Sequence, residues 1–400
     1  MKKIELLAPV GTYEKLLTAC HFGADAVYLG GKSYGLRAYA GNFSLEEMLK
    51  AVNYAHSINK KVYVTVNVFA YNVDFVGLKD YVDALTTMGV DAIIVSDAGI
   101  IAYLRKYCPN MEIHLSTQAN TLNKYAVEFW RDQGIKRVVL AREVSLDDIK
   151  EIKDYVGDTV ELEAFVHGAM CIAYSGRCLL STYLTDRNSN KGECVQACRW
   201  EYAVREVSRP NELNLAEDER GSYIFNSKDM NTLPFLDKII GAGVTSLKIE
   251  GRMKSSYYVG SVVNAYRKRI DGIIKGLPYE ENLNEELYKV NHREYTSGFY
   301  FGKAEQCYST SMPDNDYRFC AEVLGYDYDK KALVVEQRNR FFIGDKLETV
   351  SVTNCKEITV NKMFDELGNE VPDAKFVRQK LYIPTDNVLA EKDMLRKKVK

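Results

Sequence analysis

The chain has 400 residues, of which 46% are hydrophobic and 27% charged, and its net charge is −2. That length holds two or three domains with sizeable cores, and the composition is that of a globular protein rather than a disordered or fibrous one. The near-neutral charge provides no global attraction to nucleic acid, so any RNA contact must come from a local surface.

No apolar run approaches the roughly 20 residues of a membrane helix, and Glu5 interrupts the N-terminal apolar stretch too early for a signal peptide. The expected compartment is the cytoplasm, without membrane contact, where thiols stay reduced and a disulfide framework is not expected. A first buried strand is predicted over 4–9. A pattern then recurs in which a helix-like segment ends at a glycine, one or two residues follow, and a β-branched run begins. It is seen at Gly23–Gly30, Gly89–Asp97, Gly134–Arg142 and Gly243–Glu250. The glycine suits a left-handed helix C-cap, and the unbroken apolar runs suit strands buried on both faces. Further strands are expected at 62–67, 112–117, 161–166 and 222–226, with helices such as Ser44–Ser57 and Leu146–Tyr155 between them.

Eight or nine short strands alternating with helices predict an α/β fold, a (β/α)8 TIM-like barrel, over residues 1–310. No Gly-x-Gly-x-x-Gly follows the first strand, so a dinucleotide fold lacks its fingerprint. Residues 311–400 read as a small β-barrel-like C-terminal domain, with short strands at Cys320–Leu324, Ala332–Gln337, Phe342–Val350 and Leu381–Pro384. Met312-Pro-Asp-Asn-Asp reads as the linker.

In such a barrel, chemistry sits where strands end. The polar residues expected there include Glu5, Arg37, Asn67, Asp97, Gln118, Asn120, Arg142, Glu143, Glu163, His167, Lys228, Lys248, Glu250 and Arg252. Each one alone reads as a structural ion pair. As a group they suggest a polar pocket with cations suited to an anionic small molecule. Four of the nine cysteines, Cys171, Cys178, Cys194 and Cys198, fall just past the seventh strand with spacing Cys-x6-Cys-x15-Cys-x3-Cys. An iron–sulfur cluster tolerates such irregular spacing and is the first reading. Structural zinc prefers paired knuckles, of which only Cys194-x3-Cys198 is one, and is the alternative. No His-Glu-x-x-His and no Gly-x-Ser-x-Gly is present, so hydrolysis lacks a recognisable centre. The basic runs Arg267–Arg269 and Arg396–Lys400 read as solvated charge, with RNA contact as the alternative.

The run Glu163-Ala-Phe-Val-His-Gly-Ala-Met-Cys171-Ile-Ala-Tyr-Ser-Gly-Arg-Cys178-Leu-Leu-Ser181 resembles the signature of the peptidase U32 family. So do Glu5–Gly11, His114–Asn120, Leu140–Glu143, Gly192–Tyr202, Asn226–Asp229, Ser246–Arg252 and Phe342–Glu348, which carry the likeness over nearly the whole chain. Within the family the chain is most similar to the bacterial tRNA hydroxylation branch, although its stretch between Trp200 and Gly221 is shorter than in longer members. The resemblance implies a tRNA-modifying enzyme that converts wobble uridine to 5-hydroxyuridine without dioxygen, with prephenate as hydroxyl source. It also implies a 4Fe–4S cluster on Cys171, Cys178, Cys194 and Cys198. Arg142, Lys248 and Arg252 would grip the prephenate carboxylates, helped by Arg37, Gln118, Asn120 and Lys228. Glu163, His167, Lys248 and Glu250 are the expected catalytic groups. Two other readings stand beside this one: a collagenase-like U32 peptidase, and a zinc-containing RNA-binding scaffold without catalysis. The oligomeric state is not legible.

Overall fold

A computed structural model of the chain describes residues 3–35, 41–171, 174, 178–187, 193–200, 216–218, 221–223, 227–302, 316–353 and 356–399. Arg37, Asn226 and most of the stretch between Trp200 and Gly221 lie outside the described residues.

Eight parallel strands close a barrel. They are β1 (Glu5–Pro9), β2 (Ala26–Gly30), β3 (Lys61–Val66), β4 (Ala92–Val95), β5 (Ile113–Leu115), β6 (Arg137–Val139), β7 (Glu161–Ala169) and β8 (Ser246–Ile249). Each pairs with the next in sequence, and β8 closes the ring by pairing with both β7 and β1. Helices α1 (Tyr13–His21), α2 (Leu45–Ser57), α3 (Leu78–Thr87), α4 (Ala98–Tyr107), α5 (Lys124–Asp132) and α6 (Leu146–Val156) connect the strands. The short α7 (Leu180–Thr185), α8 (Leu236–Gly241), α9 (Ser256–Ile274) and α10 (Glu281–Tyr288) follow.

Local chemistry explains the phrasing. Thr12, Ser44, Asp97, Asn123, Ser145 and Ser255 cap helix N-termini with their side-chain oxygens, so each helix starts at a fixed place after its strand. The recurring glycine sits two residues past a helix end in the left-handed region, at φ +100° for Gly23 and +81° for Gly134. A side chain there would be strained, and the chain turns directly into the next strand. Of the strand predicted at 222–226, the described part, Ser222–Tyr223, does not join the barrel sheet, and residues 224–226 lie outside the described residues. Gly221–Tyr223 instead forms a hairpin with Ala216–Asp218, outside the barrel sheet. The sequence pattern alone could not separate the two cases, because both are short apolar runs beside turn residues.

After β8 the chain builds a six-stranded antiparallel module of β9 (Tyr317–Asp327), β10 (Ala332–Gln337), β11 (Lys346–Val350), β12 (Glu357–Thr359), β13 (Lys380–Pro384) and β14 (Met394–Lys398), in the order β12-β11-β14-β9-β10-β13. It is clamped to the barrel. Val350 and Met394 are buried in the barrel's own core cluster, and the Tyr257 ring stacks on Phe319 at 5.2 Å. Arg396 is fully buried and reaches both carboxylate oxygens of Glu286 at 2.7 Å and Glu348 at 3.0 Å.

Most of the described charge in the two basic runs is therefore not solvated, Lys398 being the exposed exception. Arg396 is the clamp, and Lys397 pairs with Asp345 at 2.7 Å. Arg267 pairs with Asp25 and Asp271, Arg269 pairs with Asp237, and Lys268 donates to the Ser351 and Thr353 carbonyls. Arg267, Lys268, Arg269, Arg396 and Lys397 join elements, and apart from Asp271 their partners lie far away in the chain, where sequence alone cannot show them.

Candidate active site at the mouth of the barrel

The inward-facing polar residues divide into two levels. The lower level lies at the N-terminal ends of the strands, where Glu5 and Ser246 are first in β1 and β8 and pair in register, and Glu163 is level with Ser246. Glu163 is fully buried. Lys248 Nζ donates to it at 2.8 Å and Ser246 Oγ at 3.0 Å, and Arg137 Nη1 lies 3.2 Å away. The same guanidinium reaches Glu5 at 2.5 Å and Glu161 at 2.7 Å, and Tyr63 Oη donates to Glu5 at 2.8 Å. Burial pushes the Glu163 carboxyl up, but the Lys248 and Arg137 charges outweigh it and hold it near 2.

Glu5 and Glu163 are therefore not mouth residues. They form a closed ionic layer at the barrel floor, which reads as a stability element. Lys248 is committed to that layer and also covers the Tyr28 ring at 4.6 Å. Sequence reasoning missed Arg137, the hub. Its signal was a lone charge opening an otherwise apolar strand, Arg137-Val-Val-Leu.

The upper level is the mouth. Arg142, just past β6, pairs with Glu250, just past β8, at 3.4 Å and lies over the Phe165 ring at 4.0 Å. Arg252 is buried and donates to Asn42 Oδ1 at 2.7 Å and Thr65 Oγ1 at 3.5 Å. Its guanidinium lies flat against Gly30, where a Cβ would overlap it. Lys15, in the first turn of α1, donates to the Arg252 carbonyl at 3.3 Å. Burial first, and the nearby Arg252 charge as well, lower the Lys15 pKa against the pull of Glu14. Lys15 and Arg252 thus put two cationic side chains on one part of the rim, which suits an anionic ligand. On the opposite rim Asn67 and Ser116 both donate to Gln118 Oε1, at 2.7 and 3.1 Å. Asn120, in the left-handed region, donates to the Gln118 carbonyl at 3.4 Å. Asp97 is a helix cap, and Lys228 pairs with Glu294 at 3.3 Å.

Lys15 was not singled out by the sequence, and Glu143 was read there only as one of the polar residues at the strand ends. Burial raises the Glu143 pKa against hydrogen bonds from its own and the Arg142 backbone, and one of its carboxylate oxygens has no hydrogen-bond partner. The signal for Lys15 was available, because the first turn of every helix in such a barrel sits at the mouth.

His167 lies near the end of β7 but does not face the mouth. It is buried among Tyr258, Tyr266 and Tyr295, with ring centroids at 5.9, 5.5 and 5.5 Å. Burial lowers its pKa to about 3 despite the Asp229 charge, so the ring stays neutral. Its carbonyl accepts from the Glu250 amide at 2.9 Å, which ties the end of β7 to the mouth loop after β8.

Cys171 is exposed, two residues beyond β7. Cys178 stands just before α7 and accepts from the Leu180 amide at 3.5 Å. Cys194 accepts from the Gln196 amide at 3.4 Å and from Ser181 Oγ at 3.8 Å, which ties it to α7, and Cys198 lies in the turn Ala197–Arg199. Backbone N–H groups directed at sulfur are the outer contacts that orient thiolate ligands, so the donor set fits a soft metal centre. Among the described residues, no group of three or more His, Cys, Asp or Glu side chains converges on one point as a metal cage.

The sequence matches the family described as "Peptidase family U32" over residues 11–310, and "Peptidase family U32 C-terminal domain" over 315–396. It is 42% identical over 404 residues to the tRNA hydroxylation protein P1 of Bacillus subtilis (strain 168), covering 99% of this chain and 95% of that one. It is 38% identical to the tRNA hydroxylation protein P of Escherichia coli (strain K12), covering 94% of this chain and 92% of that one. The 23S rRNA 5-hydroxycytidine C2501 synthase of the same E. coli strain is 37% identical, over 68% of this chain and 40% of that one.

Proposed function

The chain belongs to the peptidase U32 family, and we propose that it is a tRNA hydroxylation enzyme rather than a peptidase. The observation that carries this reading is the cationic mouth of Lys15, Arg142 and Arg252, which lies on the same side of the barrel as the four-thiol loop. The names of the relatives that match end to end point the same way.

Peptide hydrolysis finds no support among the histidines. His21, His56 and His114 each pair with a carboxylate, His167 is enclosed, and His292 bonds the Arg293 carbonyl, stacked on Tyr295. None is presented at the mouth as a base for a nucleophile.

In the finer reading the substrate is the wobble uridine, the product 5-hydroxyuridine, and the hydroxyl donor prephenate. Two carboxylates and a ketone on prephenate suit Arg142, Arg252 and Lys15, with the Gln118–Asn120 rim opposite. The target base must leave its stack to enter the mouth. Glu143, pushed up by burial, is the mouth carboxyl best placed to carry a proton. Cys171, Cys178, Cys194 and Cys198 would hold a 4Fe–4S cluster, which supplies redox chemistry when bound. An RNA substrate of this kind fits a cytoplasmic protein, and among the described residues no helix is long and apolar enough to cross a membrane.

The test is anaerobic purification with iron, sulfide and zinc analysis, followed by incubation with unmodified tRNA with and without prephenate. The proposal expects iron with sulfide, and 5-hydroxyuridine only when prephenate is present. Stoichiometric zinc without sulfide would sink the cluster. Peptide hydrolysis that survives a Cys171→Ala, Cys194→Ala double change would overturn the assignment.

A further inference from the structure

A groove separates α10 from the C-terminal module. Its cavity of about 370 Å³ is lined by Tyr288 and His292 on the barrel side and by Asp316, Tyr317 and Lys398 on the module side. The groove lies at the mouth end of the barrel. Lys254, two residues past Arg252, and Tyr257, in the first turn of α9, donate to the Asn291 and Lys289 carbonyls at 3.1 and 2.7 Å. On its inner side His292 stacks on Tyr295 at 4.5 Å, and Tyr295 contacts His167, four residues before Cys171.

Three kinds of group meet there. Tyr288 is 49% exposed and braced edge-on by His292 and Tyr295, so an aromatic surface stands ready and held. Lys398 is an exposed cation at the end of β14, and Lys289 is a partly buried one whose charge Glu286 and Glu348 already meet. Glu285 and Asp316 add acceptors. A purely anionic ligand would be repelled by those carboxylates, and an apolar ligand has no use for the lysines. A ribonucleotide presents a π face, a phosphate and hydroxyl donors together, and the cavity falls within the roughly 300–1,000 Å³ of small-ligand pockets.

We infer that this groove holds one ribonucleotide of the RNA substrate, remote from the reacting base. Its base lies on Tyr288, its phosphate at Lys398, and its ribose hydroxyls toward Glu285 and Asp316. The inference rests on the tRNA reading above and adds a second hold to it. The Arg396 clamp fixes the module to the barrel, so the groove keeps a set distance from the mouth and can register the RNA over it.

The experiment measures binding of a fluorescent 17-nucleotide anticodon stem-loop RNA, and of the DNA of the same sequence, to the full-length protein. The variants are Tyr288→Ala, Lys398→Ala and, as a remote control, Tyr125→Ala on α5. Circular dichroism and melting temperature verify the fold of each. Tyr288→Ala is expected to weaken RNA binding about 5- to 150-fold, the range of one lost base stack. Lys398→Ala is expected to lower the log–log salt slope by roughly 0.7, the share of one phosphate contact on a single strand. RNA is expected to bind more tightly than DNA, and Tyr125→Ala to bind like wild type. Folded Tyr288→Ala and Lys398→Ala proteins that bind RNA with wild-type affinity and salt slope would overturn the groove and leave the tRNA reading standing. Wild-type protein that binds no RNA would overturn the tRNA reading itself.

Discussion

Replacing Glu163 by Gln separates a floor ion layer from a catalytic acid. Glu163 is fully buried, and Lys248 and Arg137 face it at 2.8 and 3.2 Å. Its folded pKa lies near 2, below the ordinary value of 4.5. A depressed carboxyl stabilises the fold fully above its unfolded pKa and loses that contribution as the pH falls toward its folded pKa. The displacement is worth about 3 kcal/mol, present at pH 7 and lost between about pH 4.5 and 2. Glu163→Gln also leaves two buried cations short of a counter-charge, which places the total cost at pH 7 at about 3–5 kcal/mol. Urea unfolding at pH 7 and pH 3 reads both quantities. The variant should be less stable by that amount at pH 7, and the gap to wild type should narrow by about 2 kcal/mol at pH 3. A variant as stable as wild type at both pH values, yet inactive, would refute the floor-layer account and return Glu163 to the chemistry.

His167→Phe should fit the tyrosine cage and remove a pH dependence. The folded pKa of His167 is about 3 against an ordinary 6.5, so wild type loses about 1.4 kcal/mol per pH unit below 6.5, and unfolding at pH 5.5 and 7 should show the variant without that loss. A variant with the full wild-type slope would contradict the burial. Arg396→Met should leave Glu286 and Glu348 facing an apolar chain at the domain junction, at a cost of about 3–5 kcal/mol, with one calorimetric transition splitting into two. An unchanged single transition would show that the clamp is idle. Gly30→Ala should push the Arg252 guanidinium off its seat, raising the prephenate KM at least tenfold with a small change in melting temperature. Wild-type KM would remove Arg252 from the anion site.

The barrel was legible because its repeat is local. A capping Ser, Thr, Asp or Asn, a helix, a left-handed glycine and an apolar run follow one another within each unit. The cysteine loop was legible by count and by its place after the seventh strand. The depth of each polar side chain was not legible. Glu163 and Glu250 both read as polar groups at strand ends, yet one lies at the floor and the other at the mouth, because periodicity fixes the face of a strand and not the level along it. His167 looked like a mouth residue because it lies four positions before Cys171, but there β7 has run past β6 and pairs on that side with Asp229–Asn231 while still holding Ile249 of β8. The basic tail misled for a related reason. Arg396 is buried by partners more than 40 residues away, and no local pattern announces them.

Nucleoside mass spectrometry of tRNA reads the proposed wobble hydroxylation directly. It should be performed on cells that carry no second member of the family, with the gene deleted and then restored as wild type or as Cys178→Ser, Cys194→Ser. The account predicts loss of 5-hydroxyuridine and its derivatives at the wobble position on deletion, return with the wild-type gene, and no return with the cysteine variant. Unchanged wobble nucleosides in the deleted strain would contradict it.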